Sequence, residues 1–146
     1  MAFELDERLE SDSHLAVTHK DIQIRLADDT RYFWLILVPT INSDQKKTFV
    51  SEMHDLPVPI AAELWSLSSH ISKWLQAHTN ADKINIAALG NVISQLHLHV
   101  VARHRSDPAW PLPIWGHGAT EPLKTSERDG RLVSIQDWYK QASGTI

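Results

Sequence analysis

Two histidines and a glutamine at alternate positions are the residues of this chain best suited to chemistry. Residues 94–103 read SQLHLHVVAR, so a leucine separates Gln95 from His97 and His97 from His99. In an extended strand alternate side chains point to the same face, about 6.5–7 Å apart along the strand. The pattern therefore predicts a strand with one apolar face in the core and a second face that presents an amide and two imidazoles.

Imidazole can act as nucleophile, acid or base near neutral pH, because its ordinary pKa is ~6.5. A neutral histidine that attacks phosphorus needs its lone pair in line with the leaving group, and nearby donors must stabilise the charge on the non-bridging oxygens. Gln95 and His99 flank His97 in the sequence and are expected to supply such donors. The spacing is thus compatible with phosphoryl chemistry centred on His97.

The same two histidines are also compatible with a purely structural role or with metal binding. A strand histidine is often an ordinary surface residue, or a core residue whose hydrogen bonds are satisfied. His-x-His also places two imidazoles on one face, and zinc commonly takes imidazole nitrogen. A third ligand would come from His14, His104 or an aspartate, but nothing in the spacing singles one out. We therefore assign no metal ligands.

The composition indicates one ordinary globular domain. The chain has 146 residues, of which 42% are hydrophobic and 22% charged, and no apolar run approaches the ~18 residues of a membrane span. A formal charge of −4 argues against nucleic-acid binding through the phosphate backbone. The absence of cysteine excludes disulfides and a cysteine nucleophile. The acidic N-terminus lacks the features of a secretory signal, so we expect a cytoplasmic location.

Local patterns predict the elements that position the histidines. An alternating segment and an aromatic, β-branched segment that stops at Pro39 predict a hairpin. Apolar residues recur at spacings of four and three from Ile60 to Trp74, which predicts an amphipathic helix from about Pro57 to His78. The predicted strands are residues 21–26, 32–38, a short edge strand at 49–53, and 83–89, which pairs antiparallel with the histidine strand through a short loop.

The C-terminal part of the chain has a different character. Residues 106–118 contain three prolines and two tryptophans, which predicts an ordered but irregular segment. Residues 133–142 predict a last short helix. The fold class is therefore α+β, a single domain with an antiparallel sheet, one long helix and a short C-terminal helix.

The polar strand resembles the His-x-His-x-His-x-x motif of the histidine triad (HIT) superfamily of nucleotide hydrolases and transferases, with Gln95 in the first triad position. Residues 34–39 (WLILVP) resemble the hydrophobic strand that ends in Val-Pro near the start of that domain. Residues 85–91 (NIAALGN) resemble a shortened form of its Asn- and Gly-containing loop, and Arg103 falls where many members carry an arginine. The resemblance covers roughly residues 3–115.

This resemblance implies a homodimeric domain that binds a nucleoside phosphate against the triad strand. Residues 1–115 would form the HIT-like nucleotide-binding domain, and residues 116–146 a C-terminal extension packed on the same domain. By position, His97 matches the family's nucleophile, which forms a nucleotidyl-histidine that water hydrolyses. His99 matches the histidine that helps to bind the phosphate, and Gln95 stands where the first triad histidine orients the site.

Further contacts are expected from residues outside the triad. Asp28 or Asp29 lies near the family's acidic ribose-binding position, and Asn85 and Asn91 are candidates for phosphate or sugar contacts. Trp110, in the proline-rich segment, is expected to close over the ligand, and Trp115 shares that segment.

The chain departs from the family pattern at four places. Gln95 cannot titrate, and Trp34 stands where relatives often carry histidine. Residues 40–42 (TIN) stand where relatives often carry basic residues and a histidine, and Val92 replaces a phosphate-contacting serine or threonine. These changes keep His97, the expected nucleophile, but remove some of the neighbouring groups that assist it in other members of the family.

The resulting prediction is a nucleotide-phosphate hydrolase or nucleotidyl transferase that cleaves a phosphoric anhydride or a phosphoramidate through His97. The expected ligand is a purine mononucleotide or a dinucleoside polyphosphate. No cofactor is required, and a divalent cation is expected only beside a polyphosphate substrate. The alternatives are a non-catalytic nucleotide-binding or interaction protein and, third, a zinc-dependent hydrolase.

Overall fold

A computed structural model describes residues 2–42 and 47–146 of the chain. Its helices are α1 (Glu7–Ser11), α2 (Val58–Thr79) and α3 (Thr125–Ala142), with a short 3-10 turn at Met53–Asp55. Its strands are β1 (Ser13–His19), β2 (Ile22–Ala27), β3 (Trp34–Pro39), β4 (Lys83–Ala88) and β5 (Leu98–Arg103). The fold class predicted from the sequence, α+β with an antiparallel sheet, is confirmed.

The sheet holds the histidine strand between two neighbours. The strand order is β1-β2-β3-β5-β4, and every pair is antiparallel. His99 lies opposite Ile36 of β3 and opposite Ala87 of β4. Since the backbone of β5 is hydrogen-bonded on both sides, the position of the His99 Cα is fixed by two ladders.

One face of the sheet forms the main core with the long helix. Leu98 and Val100 of β5 are buried there, as the alternation predicts, against Leu64 and Ile71 of α2. Ile135 of α3 joins the same cluster and is fully buried. Each such side chain contributes about 1.5–3 kcal/mol through its removal from water, so this face anchors β5.

The opposite face is covered by irregular chain rather than by a second layer of helices. Ile36 and Val38 of β3 pack there with Leu9 of α1 and with Phe3 of the N-terminal segment. Farther along, Val101 of β5 packs with a cluster formed by the segment after β5. The cover is incomplete between these two clusters, and a cavity lies there.

The long helix α2 is the element whose sequence signal is clearest. Pro57 is its N-cap and Pro59 lies in its first turn, where a missing N–H costs nothing. The helix ends at Thr79, and its C-cap Asn80 has a φ of 53°, in the left-handed region that asparagine tolerates well. Its observed bounds agree with the prediction within two residues.

Three local predictions are wrong. Residues 49–53 are not a strand: Val50 accepts one hydrogen bond, 2.8 Å from the Leu96 N–H, and the segment pairs with neither edge strand, β1 or β4. The histidine strand begins at Leu98 rather than at residue 94, so the connection from β4 is longer than the predicted short loop. The start of the chain contains the unpredicted strand β1 as well as α1.

The C-terminal helix is present and shorter than α2, but it begins at Thr125, eight residues before the predicted start at Val133. Its first two turns, with the sequence TSERDGRL, carry no apolar stripe and contain Gly130. Helix α3 packs against β1. None of the helices in the described part of the chain is long and apolar enough to cross a membrane.

Candidate active site

A cavity of about 620 Å³ opens at the incompletely covered face of the sheet, next to His97 and His99. Trp34 and Ile36 of β3 also line it. The remaining walls come from four separate segments: α1, the turn after β2, the connection from β4 to β5, and the chain after β5. Both imidazoles therefore share one enclosed space, as the sequence predicts.

His97 is oriented by the backbone of its own segment. Its Nδ1 lies 2.6 Å from the carbonyl oxygen of Gln95, and the residue is only 5% exposed. A carbonyl can only accept a hydrogen bond, so Nδ1 must carry the proton. When the ring is neutral, the lone pair is therefore on Nε2, which has no hydrogen-bond partner among the described residues.

His99 lies beside His97 in an aromatic surround. The two imidazole centroids are 4.8 Å apart and the rings are nearly perpendicular. The indoles of Trp34 and Trp115 lie 5.4 Å and 5.1 Å from the His99 ring, and the Trp34 Nε1–H donates to His99 Nδ1 over 2.9 Å. Burial, and secondly the charge on His97, lower the pKa of His99 to about 3. His99 is therefore neutral throughout the physiological pH range.

Gln95 does not line the cavity that the two histidines share, although it lines a smaller, adjoining cavity beside His97. Its Nε2 donates to the Glu4 carbonyl oxygen (2.9 Å), and its Oε1 accepts from the Asp6 N–H (2.8 Å). The expectation that Gln95 shares a face with the histidines was wrong. Gln95 lies three residues before β5 begins at Leu98, so the alternation of faces along the strand does not extend to it. The expected donation from Gln95 to a phosphate is thus not supported by its contacts; the amide instead fixes the N-terminal segment.

The segment fixed by Gln95 carries Arg8, a residue that sequence reasoning missed. The Asp6 carboxylate accepts from the Arg8 guanidinium at 3.1–3.2 Å and caps α1. The hydrogen bond from Arg8 is the largest cause that lowers the pKa of Asp6. Arg8 also donates to the Val92 carbonyl oxygen over 3.1 Å. Among the described residues it is the only lysine or arginine that lines the cavity.

Asp28, Asp29 and Asn91 line the same cavity as the histidines. Asp29 is 1% exposed and forms an ion pair with Arg31, with 2.8 Å between Nη2 and Oδ2. Asp28 accepts from the Leu123 N–H over 3.0 Å. The structure therefore brings three of the predicted ribose or phosphate residues to the site, and both carboxylates are already partly engaged.

Asn85 and Trp110 lie elsewhere, contrary to the sequence expectation. Asn85 accepts a 2.7 Å hydrogen bond from Arg103, whose guanidinium also lies 5.8 Å from the Trp110 ring and pairs with Asp107 at 2.8 Å. Arg103 is only 2% exposed, and a buried charge requires such partners. Asn85 and Trp110 thus stabilise the arginine and do not line the cavity.

The chain after β5 contributes a wall, as the sequence suggested, but with Trp115 rather than Trp110 at the cavity. Trp115, Gly116, Thr120 and Pro122 line the cavity. Three hydrogen bonds hold the segment to the β2–β3 turn. Arg31 donates to the His117 carbonyl oxygen (2.7 Å), and the Thr30 N–H donates to the Glu121 carbonyl oxygen (2.7 Å). The third is the bond from the Leu123 N–H to Asp28. These contacts span about 90 residues of sequence, which no local pattern can indicate.

A second cavity of about 320 Å³ adjoins the first. It shares His97, Leu89 and Asn91 with the larger cavity, and its other walls include Ser51, Glu52 and His54. His97 therefore stands where the two spaces meet.

No group of three His, Cys, Asp or Glu side chains that could hold a metal ion occurs within residues 2–42 and 47–146.

Several solved structures with the same architecture are histidine triad proteins of bacteria. A histidine triad protein from Sinorhizobium meliloti is 41% identical, with a TM-score of 0.85, and the alignment covers 92% of this chain and 96% of that one. A histidine triad protein from Marinobacter aquaeolei is 33% identical with a TM-score of 0.89, covering 97% and 98% of the two chains. One from Bradyrhizobium japonicum is 32% identical with a TM-score of 0.86, covering 94% and 98%.

A comparison with curated proteins gave no match. The HIT domain family model matches residues 8–106, which include β1 to β5 and both cavity histidines. With this match and relatives more than 30% identical over nearly their full length, the chain belongs to the HIT domain family, which includes nucleotide hydrolases and transferases.

Proposed function

We propose that this protein is a nucleotidyl hydrolase or transferase that works through a nucleotidyl-histidine intermediate on His97. The observation that carries the proposal is the orientation of that ring. The Gln95 carbonyl holds the proton of neutral His97 on Nδ1, so that the lone pair is on Nε2 in a cavity shared with a neutral His99. A positioned lone pair beside a neutral donor is the arrangement that attack on phosphorus needs.

The reaction has two displacement steps. In the first, His97 Nε2 attacks the α-phosphorus, and the bond from phosphorus to the leaving group breaks with its electron pair on the leaving atom, which takes a proton from solvent. In the second, water attacks the same phosphorus and loses a proton, and the bond from phosphorus to His97 breaks. The products are a nucleoside monophosphate and the free leaving group. A hydroxyl acceptor in place of water makes the same chemistry a transfer.

The larger cavity suits the nucleoside and its phosphate. Leu9 and Ile36 provide apolar surface for a base, and a purine is our proposed base. Asp28 is proposed to contact the ribose, because Asp29 is held by Arg31. Arg8 lines the same cavity as His97 and supplies a positive charge for the phosphate.

The smaller cavity suits the leaving group, because a substrate that occupied both cavities would pass across His97. The Glu52 side chain contributes a negative charge to the wall of this cavity, and no lysine or arginine of the described residues lines it. An amine leaving group fits that charge, whereas a second nucleotide with its phosphates does not. We therefore propose a nucleoside phosphoramidate ahead of a dinucleoside polyphosphate, which would need a divalent cation to mask its charge.

Mass spectrometry of the covalent intermediate tests this function directly. The protein is mixed briefly with an adenosine or guanosine phosphoramidate, quenched in base, and digested. We expect a nucleotidyl adduct on the peptide that contains His97, and none in His97→Asn. Saturable nucleotide binding with no adduct and no product after long incubation would instead identify a non-catalytic nucleotide-binding protein.

We also propose that the protein is a homodimer. Val58 and Trp65 of α2 are 82% and 64% exposed in the single chain, which is unfavourable for large apolar side chains in water. Light scattering after size exclusion is expected to give twice the mass of the chain. A monomer at micromolar concentration would contradict the proposal.

A further inference from the structure

Trp34 makes a hydrogen bond whose direction is fixed by chemistry. The indole Nε1–H can only donate, and it lies 2.9 Å from His99 Nδ1. Nδ1 must therefore present its lone pair to the indole. A neutral His99 then has its proton on Nε2, the opposite arrangement to that of His97.

The surroundings of His99 leave that Nε2–H available to a ligand. No residue in the described part of the chain hydrogen-bonds to Nε2, and the atom is not sealed from solvent. The ring is held between Trp34 and Trp115, and its backbone is fixed by β3 and β4. The ring can therefore neither turn freely nor find another partner for Nε2 within these residues.

Protonation or tautomer exchange of His99 would bring two donors face to face. If Nδ1 carried a proton, that N–H would point at the indole N–H, and both would lose their hydrogen bond in a buried place. The charged or titratable groups that line the same cavity are His97, Arg8, Asp12, Asp28 and Asp29. None of them accepts a hydrogen bond from His99, so none offsets that loss.

We propose that Trp34 is a positioning residue whose indole N–H fixes His99 as the neutral tautomer with its proton on Nε2, so that His99 donates to a non-bridging phosphate oxygen. The proposal rests on the proposed function for the identity of the acceptor. The backbone carbonyl of Gln95 and the indole of Trp34 then set the two neighbouring imidazoles in opposite states. One ring offers a lone pair to phosphorus, and the other offers a donor to its oxygen.

Nitrogen-detected NMR of the imidazoles tests the tautomer without reference to activity. In protein labelled with ¹⁵N-histidine, the signals of His99 are assigned by their absence in His99→Gln. We expect the wild-type protein at pH 7 to show an unprotonated Nδ1 and a protonated Nε2 at His99. A protonated Nδ1 would overturn the proposal, whatever the variants do.

Three variants separate the hydrogen bond from the aromatic packing. Trp34→Phe keeps a ring but removes the donor. Trp34→His restores an N–H, because histidine Nε2 lies as many bonds from Cβ as tryptophan Nε1 does. Trp115→Phe is the matched control, because the Trp115 Nε1 has no hydrogen-bond partner among the described residues. We expect mixed tautomers at His99 only in Trp34→Phe, with the wild-type tautomer in the other two.

Kinetics then show whether the tautomer matters. We expect kcat for a nucleoside phosphoramidate to fall about tenfold in Trp34→Phe, less than the roughly 10²- to 10³-fold cost of losing a whole oxyanion donor, and to recover in Trp34→His. A fall in kcat with the tautomer unchanged would overturn the positioning role while leaving the proposed function intact. A changed tautomer in a protein without any turnover would refute the proposed function and retain the tautomer assignment.

Discussion

His19 and His99 are both buried, with 2% and 5% exposure, but they lie on opposite faces of the sheet and differ in what surrounds their nitrogens. His19 Nδ1 contacts the Tyr139 hydroxyl at 2.9 Å and its Nε2 contacts the Glu63 carboxylate at 2.6 Å. His99 has only Nδ1 engaged, by Trp34. Burial alone therefore does not distinguish the two histidines; what distinguishes His99 is a ring nitrogen left open toward a cavity.

The two regions also differ in what they join. His19 links β1 to α2 through Glu63 and to α3 through Tyr139, so it connects three elements of the main core. His97 and His99 join no helix to the sheet, and their contacts stay within β3, β5 and the adjoining loops. The comparison predicts that catalysis and stability respond to different histidines.

The largest expected effect is the loss of turnover in His97→Asn. Removal of the nucleophile should lower kcat by at least about 10⁴-fold, with the free energy of unfolding changed by less than about 1 kcal/mol, because the ring makes no contact that joins core elements. Release of nucleotide from a phosphoramidate measures the first quantity and urea unfolding the second. Turnover within tenfold of wild type would rule out His97 as the nucleophile.

The next effect is a pH dependence of stability that His99 should supply. Its pKa is about 3 in the folded protein and ~6.5 when unfolded. Between these values the unfolded chain binds more protons, so stability rises with pH and is complete above about 6.5. We expect a loss of about 2–3 kcal/mol between pH 7 and pH 4.5.

Urea unfolding of wild type and of His99→Gln at both pH values isolates this contribution, because the other titrating groups are common to the two proteins. The wild type should lose more stability than the variant. Equal losses would show that His99 is protonated as readily in the folded as in the unfolded chain.

His19→Phe is expected to lower the free energy of unfolding by about 2 kcal/mol, because it leaves the Tyr139 hydroxyl and one side of Glu63 without their partner. Lys20 still pairs with Glu63 at 3.0 Å, which limits the cost. Activity per folded molecule should stay the same. The control is His70→Phe, at an exposed position of α2, with an expected change within about 0.5 kcal/mol. A loss of kcat without loss of stability would contradict the comparison.

The smallest of these effects concerns Arg8. Arg8→Gln should raise KM for a nucleoside phosphoramidate about tenfold, with little change in kcat, since the charge acts on the phosphate in the ground state and in the transition state alike. Arg128→Gln, which removes a partly exposed arginine paired with Asp129 on α3, is the matched control and should leave KM unchanged. Equal KM values for Arg8→Gln and wild type would remove Arg8 from the phosphate site.

The sequence predicted those parts of the fold in which a local pattern reflects burial. The four-and-three spacing from Ile60 to Trp74 predicted α2, and the alternation of Leu98 and Val100 predicted which face of β5 enters the core. Strand β1 was missed because its register shifts between Leu15 and Val17, which breaks the period of two that identifies a strand.

The site was predicted only in part, for a similar reason. His97 and His99 lie together, but the wall formed by Arg8 depends on contacts with Val92 and, through Asp6, with Gln95. These contacts join residues more than 80 positions apart. Asn85 was assigned to the site from its position in the sequence. Only the structure reveals that its side-chain oxygen accepts a hydrogen bond from the buried Arg103 guanidinium instead.

The segment after β5 is attached to the β2–β3 turn through its own main chain: the carbonyls of His117 and Glu121 accept, and the N–H of Leu123 donates. Gly116 and Gly118, with φ of 84° and 65°, let it turn on either side of the anchor at His117. The side chains that face the cavity, such as Thr120, take no part in the attachment. Apart from Trp115, which packs against the His99 ring, the side chains of this wall can therefore vary, as those of an antibody loop do, without a change in the main-chain contacts that hold the segment in place.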